Sequence, residues 1–157
     1  MIFLTVGTQD KQFLRLLKIV ANAVKKGIVK EEVIAQIGHT KFKSSNIKTY
    51  KFMSEKRISE CIENADLIVT HGGVGFLVRT LMQKKKVFAM PRLKEYKEHI
   101  NDHQLQIVTK FSELGYIRKI EDYDDFVREY TNLKKFKPVF PKFNNEKILN
   151  IITDFIG

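Results

Sequence analysis

The chain has 157 residues, 43% of them hydrophobic, and a formal net charge of +10. That is the length of one domain with enough apolar material for a core. It excludes a disordered chain, and no apolar run approaches the roughly 18 residues a membrane span needs. Cys61 is the only cysteine, which excludes an internal disulfide.

The run at residues 2–6 is apolar and β-branched and reads as a first strand. No basic leader or cleavage signal precedes it, so a cytoplasmic protein is expected. Gly7, Thr8, Gln9 and Asp10 form the turn that follows. Phe13, Leu16, Leu17, Val20, Ala21 and Val24 then recur at helical spacing, and Gly27 ends that helix. Residues 33–37 are a second strand, closed by Gly38, and a polar loop runs from His39 to Asn46. Residues 47–52 alternate as a third strand. Ser54 caps a helix with Ile58, Cys61, Ile62 and Ala65 inward, where Cys61 reads as a buried structural thiol.

Residues 67–70 are a fourth, buried strand, followed by His71, Gly72, Gly73, Val74 and Gly75 and an apolar helix over 76–82. Strand, glycine turn, helix is the local plan of a phosphate site. Glycine lets an anion approach the backbone, and a helix N-terminus offers free N–H groups and partial positive charge. A tight turn that merely needs glycine is the plain alternative. Val78 stands where the dinucleotide fingerprint needs Gly or Ala, and the Walker A pattern is absent. Lys84, Lys85 and Lys86 read as a solvated helix end, residues 86–90 as a fifth strand stopped by Pro91, and the next ten residues as a polar loop. A helix from Asn101 or Asp102 is expected to bury Leu105, Val108 and Phe111 and to end at Gly115. Residues 116–120 make a last strand. Asp122 opens a helix with Phe126, Tyr130 and Leu133 on one face. Pro138 and Pro141 mark a linker, and a final helix is expected over about 145–155.

Strands alternating with helices throughout predict one α/β domain over 1–157, a doubly wound parallel sheet with a C-terminal helical extension from about 138. Ligands of such sheets bind beyond the carboxyl ends of the strands, where the strand order reverses. The charge is uneven: residues 11–58 carry twelve Lys and Arg against three acids, whereas 113–129 hold six acids against three basic residues. A basic half suits an anionic partner, whether nucleic acid, nucleotide sugar or acidic membrane face; a generally lysine-rich surface is the bland alternative.

Four stretches together resemble a known family. They are Thr5-Val-Gly-Thr8, Gln36-Ile-Gly-His39, the run from Ala65 to Gly75, and Pro91-Arg92 followed by Glu98-His99 and Asn101-Asp-His-Gln104. The chain resembles the donor-binding, C-terminal half of a GT-B glycosyltransferase. Within that class it is similar to bacterial exopolysaccharide and capsule enzymes that work as one subunit of a two-protein transferase. The donor-binding subunit of the dolichol-linked UDP-N-acetylglucosamine transferase is its eukaryotic counterpart.

The resemblance implies a Rossmann-like fold, a UDP-sugar donor, a lipid-linked acceptor and inversion without bound metal or cofactor. It implies a membrane-anchored partner subunit that carries the acceptor half and holds this chain at the inner face of the membrane. The transferred hexose would be galactose or N-acetylglucosamine. It places the diphosphate at His71, Gly72, Gly73, Val74 and Gly75, with Gly7 and Thr8 adding to it. Phe52 and Met53 would hold uracil, and Asp102, His103 and Gln104 the donor sugar. At Arg79 the family usually has a glutamate for the ribose hydroxyls; arginine has donors only, so either Arg79 reaches the diphosphate or another acid holds the ribose. His71 could instead simply anchor its turn, and Asp102 simply start its helix. No residue is assigned as the general base, which is expected on the partner; a homodimer and residual activity from Asp10 or His71 of the cleft are the alternatives. Against this stand a nucleic-acid-binding module, which has the charge but no recognition motif and is set aside, and a catalytically silent scaffold.

Overall fold

Three apolar runs make the centre of the sheet: β1 (Ile2–Thr5), β4 (Leu67–His71) and β5 (Val87–Met90) are buried at every position. Burial on both faces is what a parallel sheet with helices on each side requires. β2 (Val33–Gln36) flanks them, and the edges are short and polar, β3 (Lys48–Tyr50) and β6 (Arg118–Lys119). All pairings are parallel, and the order is β3-β2-β1-β4-β5-β6. This computed structural model describes residues 1–142 and Asn150.

Alternate strand residues face opposite layers. Leu4, Val69 and Phe88 meet α1 (Leu14–Lys25) and α5 (Tyr123–Thr131) on one face. Phe3, Ile68 and Ala89 meet α2 (Glu55–Asn64), α3 (Val74–Met82) and α4 (His103–Glu113) on the other. Ser54 caps α2 by accepting from Arg57 N–H, and Asp122 caps α5 by accepting from Asp125 N–H.

Several predicted bounds shift for physical reasons. The third strand is three residues rather than six, because it is an edge strand with one neighbour; Phe52 lies past it and is 52% exposed. The last strand shortens to two residues at the other edge. Helix α3 begins at Val74, so Gly75 is inside its first turn rather than before it. On α4 the inner face is Gln104, Ile107, Val108 and Phe111, and Leu105 is only half-buried. Ala23 rather than Ala21 is fully buried on α1. Lys85 and Lys86 are anchored rather than solvated, since Lys85 Nζ donates to the Glu63 and Ala65 carbonyls and Lys86 Nζ to that of Leu133. The expected final helix lies outside the described residues.

Candidate functional site

The chain leaves β1 toward β2 on one side of the sheet, and β4 toward β5 on the other. The crevice between these outgoing loops is where such sheets take ligands. Gly7, at φ 81°, turns the β1 loop along the crevice wall, a conformation that an L side chain rarely adopts. Its N–H donates to Thr5 Oγ1 at 3.2 Å, and Thr8 stands exposed beyond it.

His71 joins the two loops. Its ring lies between two glycines: a Cβ on Gly7 would fall 2.7 Å from Nε2, and one on Gly73 would enter the ring's own volume. Gly73 N–H donates to Nδ1 at 3.1 Å, which leaves the proton of the neutral ring on Nε2. Burial, aided by the charge of Arg92, pulls the imidazole down to about 3, so the ring is uncharged at neutral pH.

Gln104, buried on the first turn of α4, staples the glycine turn to the β5 loop. Its Oε1 accepts from Gly72 N–H at 3.0 Å and from Arg92 N–H at 3.1 Å. Gly72 must be small, because a Cβ there would lie 2.7 Å from Val108 Cγ2 and 2.9 Å from Gln104 Cβ. The N–H groups of Gly72 and Gly73 are therefore committed inside the turn. The donors that α3 offers outward start one residue later, at Val74, Gly75 and Phe76, since the first intrahelical bond runs from Leu77 N–H to Gly73 C=O. Gly75 differs from its neighbours: it is exposed, and a Cβ on it would meet nothing within 4 Å.

A clasp that the sequence reading did not assign fixes the β1 and β5 loops together. Arg92 is fully buried, and its guanidinium donates to the carbonyls of Val6, Lys11 and Glu98. Burial draws it down to about 10, opposed by Glu98 and Asp10, so it stays charged at neutral pH. Glu98, 3% exposed, accepts a two-pronged pair from Arg15 at 2.8 and 2.7 Å and also accepts from Leu93 N–H. Gln9 and His99 meet at 3.1 Å across the same gap. The signal available in sequence was an arginine directly after an apolar strand and Pro91, with a glutamate six residues on.

At the other end of the crevice, Gln36 closes β2. Its Oε1 accepts from Met53 N–H at 2.9 Å and its Nε2 donates to Thr5 Oγ1, so this buried glutamine sets the height of the half-buried Met53. The Phe52 ring stands edge-on to His39 at 5.0 Å. Arg79 is turned aside: its guanidinium pairs with Glu55 and donates to Ser59 Oγ at 2.8 Å, both on α2. Asp102 and His103 are exposed; Asp102 Oδ1 accepts from Lys94 N–H, and His103 N–H donates to Asn101 Oδ1. The structure thus brings Gly7, His71, Gly72, Gly73 and Gln104 into one contact group. Val74 and Gly75 lie at its outer tip, and Arg79 lies outside it.

Over residues 1–150 the sequence matches the glycosyltransferase family 28 C-terminal domain. The chain belongs to that family. A UDP-N-acetylglucosamine transferase subunit, ALG13, of Candida albicans is 32% identical over 87 residues, which are 52% of this family 28 chain and 28% of that protein. The chain thus spans little more than a quarter of that relative.

Solved structures similar to this family 28 domain share its fold. A kitacinnamycin glycotransferase superposes with a TM-score of 0.65 at 18% identity, over 97% of this chain and 37% of that one. The solution structure of ALG13 gives 0.60 at 19% identity, over 99% and 96% of the two chains. MurG of Acinetobacter baumannii gives 0.61 at 16% identity, over 84% and 40%. The α/β Rossmann-like sheet is that of GT-B glycosyltransferases.

Proposed function

We propose that this chain is the UDP-sugar-binding subunit of a two-part, inverting, metal-independent glycosyltransferase. It would transfer galactose or N-acetylglucosamine to a lipid-linked acceptor in exopolysaccharide or capsule synthesis. Gly75 carries the reading. A glycine in a helix costs about 0.5–1 kcal/mol against alanine, and this one serves no packing need of the chain. Its open side lies at the N-terminus of α3, beside the N–H groups of Val74, Gly75 and Phe76. A diphosphate fits there, and those donors with the helix dipole would stabilise the charge that a departing UDP develops.

The remaining parts follow from their positions. Gly7 and Thr8 would flank the diphosphate from the β1 loop, and Phe52 and Met53 would hold uracil at the end of β3 mainly through their backbone groups, which leaves the Phe52 ring outward. Ribose would then lie between β3 and α3, near the N-terminus of α2. There Arg79 holds the Glu55 carboxylate, the acceptor that the ribose hydroxyls need and that arginine cannot supply. Asp102 and His103 would face the donor sugar. Gln104, with its oxygen bound to two backbone N–H groups, would act on the sugar through its amide nitrogen and through the loop it holds.

His71 makes a poor general base, because Nδ1 is bonded and the ring resists protonation to about pH 3. We therefore place the base on a membrane-anchored partner that supplies the acceptor half. The word "subunit" in the name of the Candida albicans relative supports a partner. Among the described residues no helix is long and apolar enough to cross a membrane. Isothermal titration with UDP tests the reading. Saturable binding that Gly75→Val abolishes is expected, and no heat at millimolar UDP would overturn it.

A further inference from the structure

From Lys11 to Ser54 the only carboxylates are Glu31 and Glu32. Glu31 is held by the Met1 amine and the Tyr130 hydroxyl, and Glu32 by Lys48. Part of this stretch, residues 37–46 and 51–52 with the outer side of α1, carries two adjoining hollows. The larger, about 700 Å³, has a floor of Ile37, Gly38 and Thr40, walls of Phe42 and Phe52, and a rim of Lys41, Lys43 and Lys51. The second, about 390 Å³, shares Phe42 and Lys43 and adds Lys18 and Lys25 from α1. Neither hollow is lined by a carboxylate.

The face is braced. Gln12 Nε2 donates to His39 C=O at 2.7 Å, Lys41 N–H donates to Gln12 Oε1 at 2.7 Å, and Phe13 N–H donates to Thr40 Oγ1 at 3.0 Å. Its floor touches the crevice wall: a Cβ on Gly38 would fall 2.6 Å from Gly7 O.

We infer that this face docks the chain directly on an anionic phospholipid bilayer, with the Phe52 and Phe42 side at the lipid–water boundary and the lysines among the phosphates. An apolar centre with half-exposed aromatic carbon, ringed by long ammonium side chains, matches the layered order of a bilayer surface. The cations of the two hollows are all lysine. Lysine is a point charge suited to a diffuse sheet of headgroups, whereas the planar arginine fork is what stacks on bases and reads phosphate geometry. The Phe52 ring already meets His39 at 5.0 Å, which encumbers it as a stacking platform for a base. The inference goes beyond the nucleotide reading and does not rest on it. It sets the crevice beside the membrane without help from a partner.

The test is co-sedimentation of the full chain with vesicles of phosphatidylcholine alone, and of phosphatidylcholine mixed one to one with phosphatidylglycerol. Binding to the mixed vesicles only, weakened by salt, is expected. A K18E/K41E/K43E variant should lose about a hundredfold or more in partitioning, at roughly fivefold per lysine removed from an anionic surface. Its far-ultraviolet dichroism and melting curve should match wild type. A K134E/K135E/K137E variant has the same charge change elsewhere and should bind like wild type. Equal loss in both variants would overturn the inference in favour of net charge alone. So would absence of binding, or complete displacement from the vesicles by poly(U). UDP titration of the same samples reports separately on the nucleotide reading.

Discussion

The two sides of the carboxyl edge are built differently. Around β1, β4 and β5 the loops are locked by buried polar groups: His71 between two glycines, Gln104 on two N–H groups, Arg92 on three carbonyls. Around β2 and β3 the loops are anchored at Ile37, Gly38 and Thr40, but most of their other side chains are exposed and many are lysine, and they flank a three-residue edge strand. The first side is pre-shaped, so its geometry does not have to be organised when a ligand arrives. The second leaves its charge and aromatic carbon outward, which suits contact with something larger. The lesson is that a single edge divides into a rigid cradle and a docking margin, joined where Gly38 rests on Gly7.

Breaking the cradle should have the largest effect. Arg92→Leu removes the donor of three main-chain carbonyls and a positive charge that faces the buried Glu98, at an expected cost of about 3–5 kcal/mol. Urea unfolding would measure it. Arg92→Lys should recover part of the loss, and a cost under about 1 kcal/mol would show that the clasp is dispensable.

Gln104→Ala should come next, at about 2–3 kcal/mol, because it strands the N–H groups of Gly72 and Arg92. The same variant should lower turnover with UDP-sugar more than it lowers UDP affinity. Equal losses would mean that Gln104 shapes the whole turn and does not favour the sugar.

Acid sharpens the comparison. The folded His71 is held near 3 against an ordinary 6.5, so the unfolded chain takes up the extra proton between those values. Its contribution is full above about pH 6.5 and is lost as pH falls toward 3, at no more than about 1.4 kcal/mol per unit. His99 is lowered as well, with burial first among the causes, and shifts in the same direction. His71→Asn keeps an acceptor for Gly73 N–H and should flatten the stability slope between pH 7 and 5. An unchanged slope would place the titration elsewhere.

The smallest effect separates stability from binding. Gly75→Ala should raise stability by about 0.5–1 kcal/mol, since its Cβ enters open space in a helix. It should weaken UDP at the same time. Gly73→Ala, by contrast, drives a Cβ into His71 and should lower both. Parallel behaviour of the two variants, read by thermal melting and UDP titration, would dissolve the distinction between a structural and a ligand-facing glycine.

Sequence periodicity exposed the strand–helix alternation and the sheet class, because burial on both faces leaves an unbroken apolar run such as 67–70. It located the glycine turn for the same reason that the turn works: few residues tolerate so close an approach. Edge strands were overextended, since alternation at 47–52 persists where pairing has stopped. The division of labour within the turn was not legible. Which N–H groups are spent on His71 and Gln104, and which face outward, depends on a side chain more than thirty residues away. The Arg92 clasp was hidden for the same reason, because its acceptors are main-chain carbonyls, which carry no sequence signature.

That last property has an evolutionary consequence. The clasp grips Val6 and Lys11 by their carbonyls, so it holds the course of the β1 loop whatever side chains stand between them. The exposed Asp10 side chain can change while the loop keeps its path. A fold built this way can change what it chooses without rebuilding how it holds.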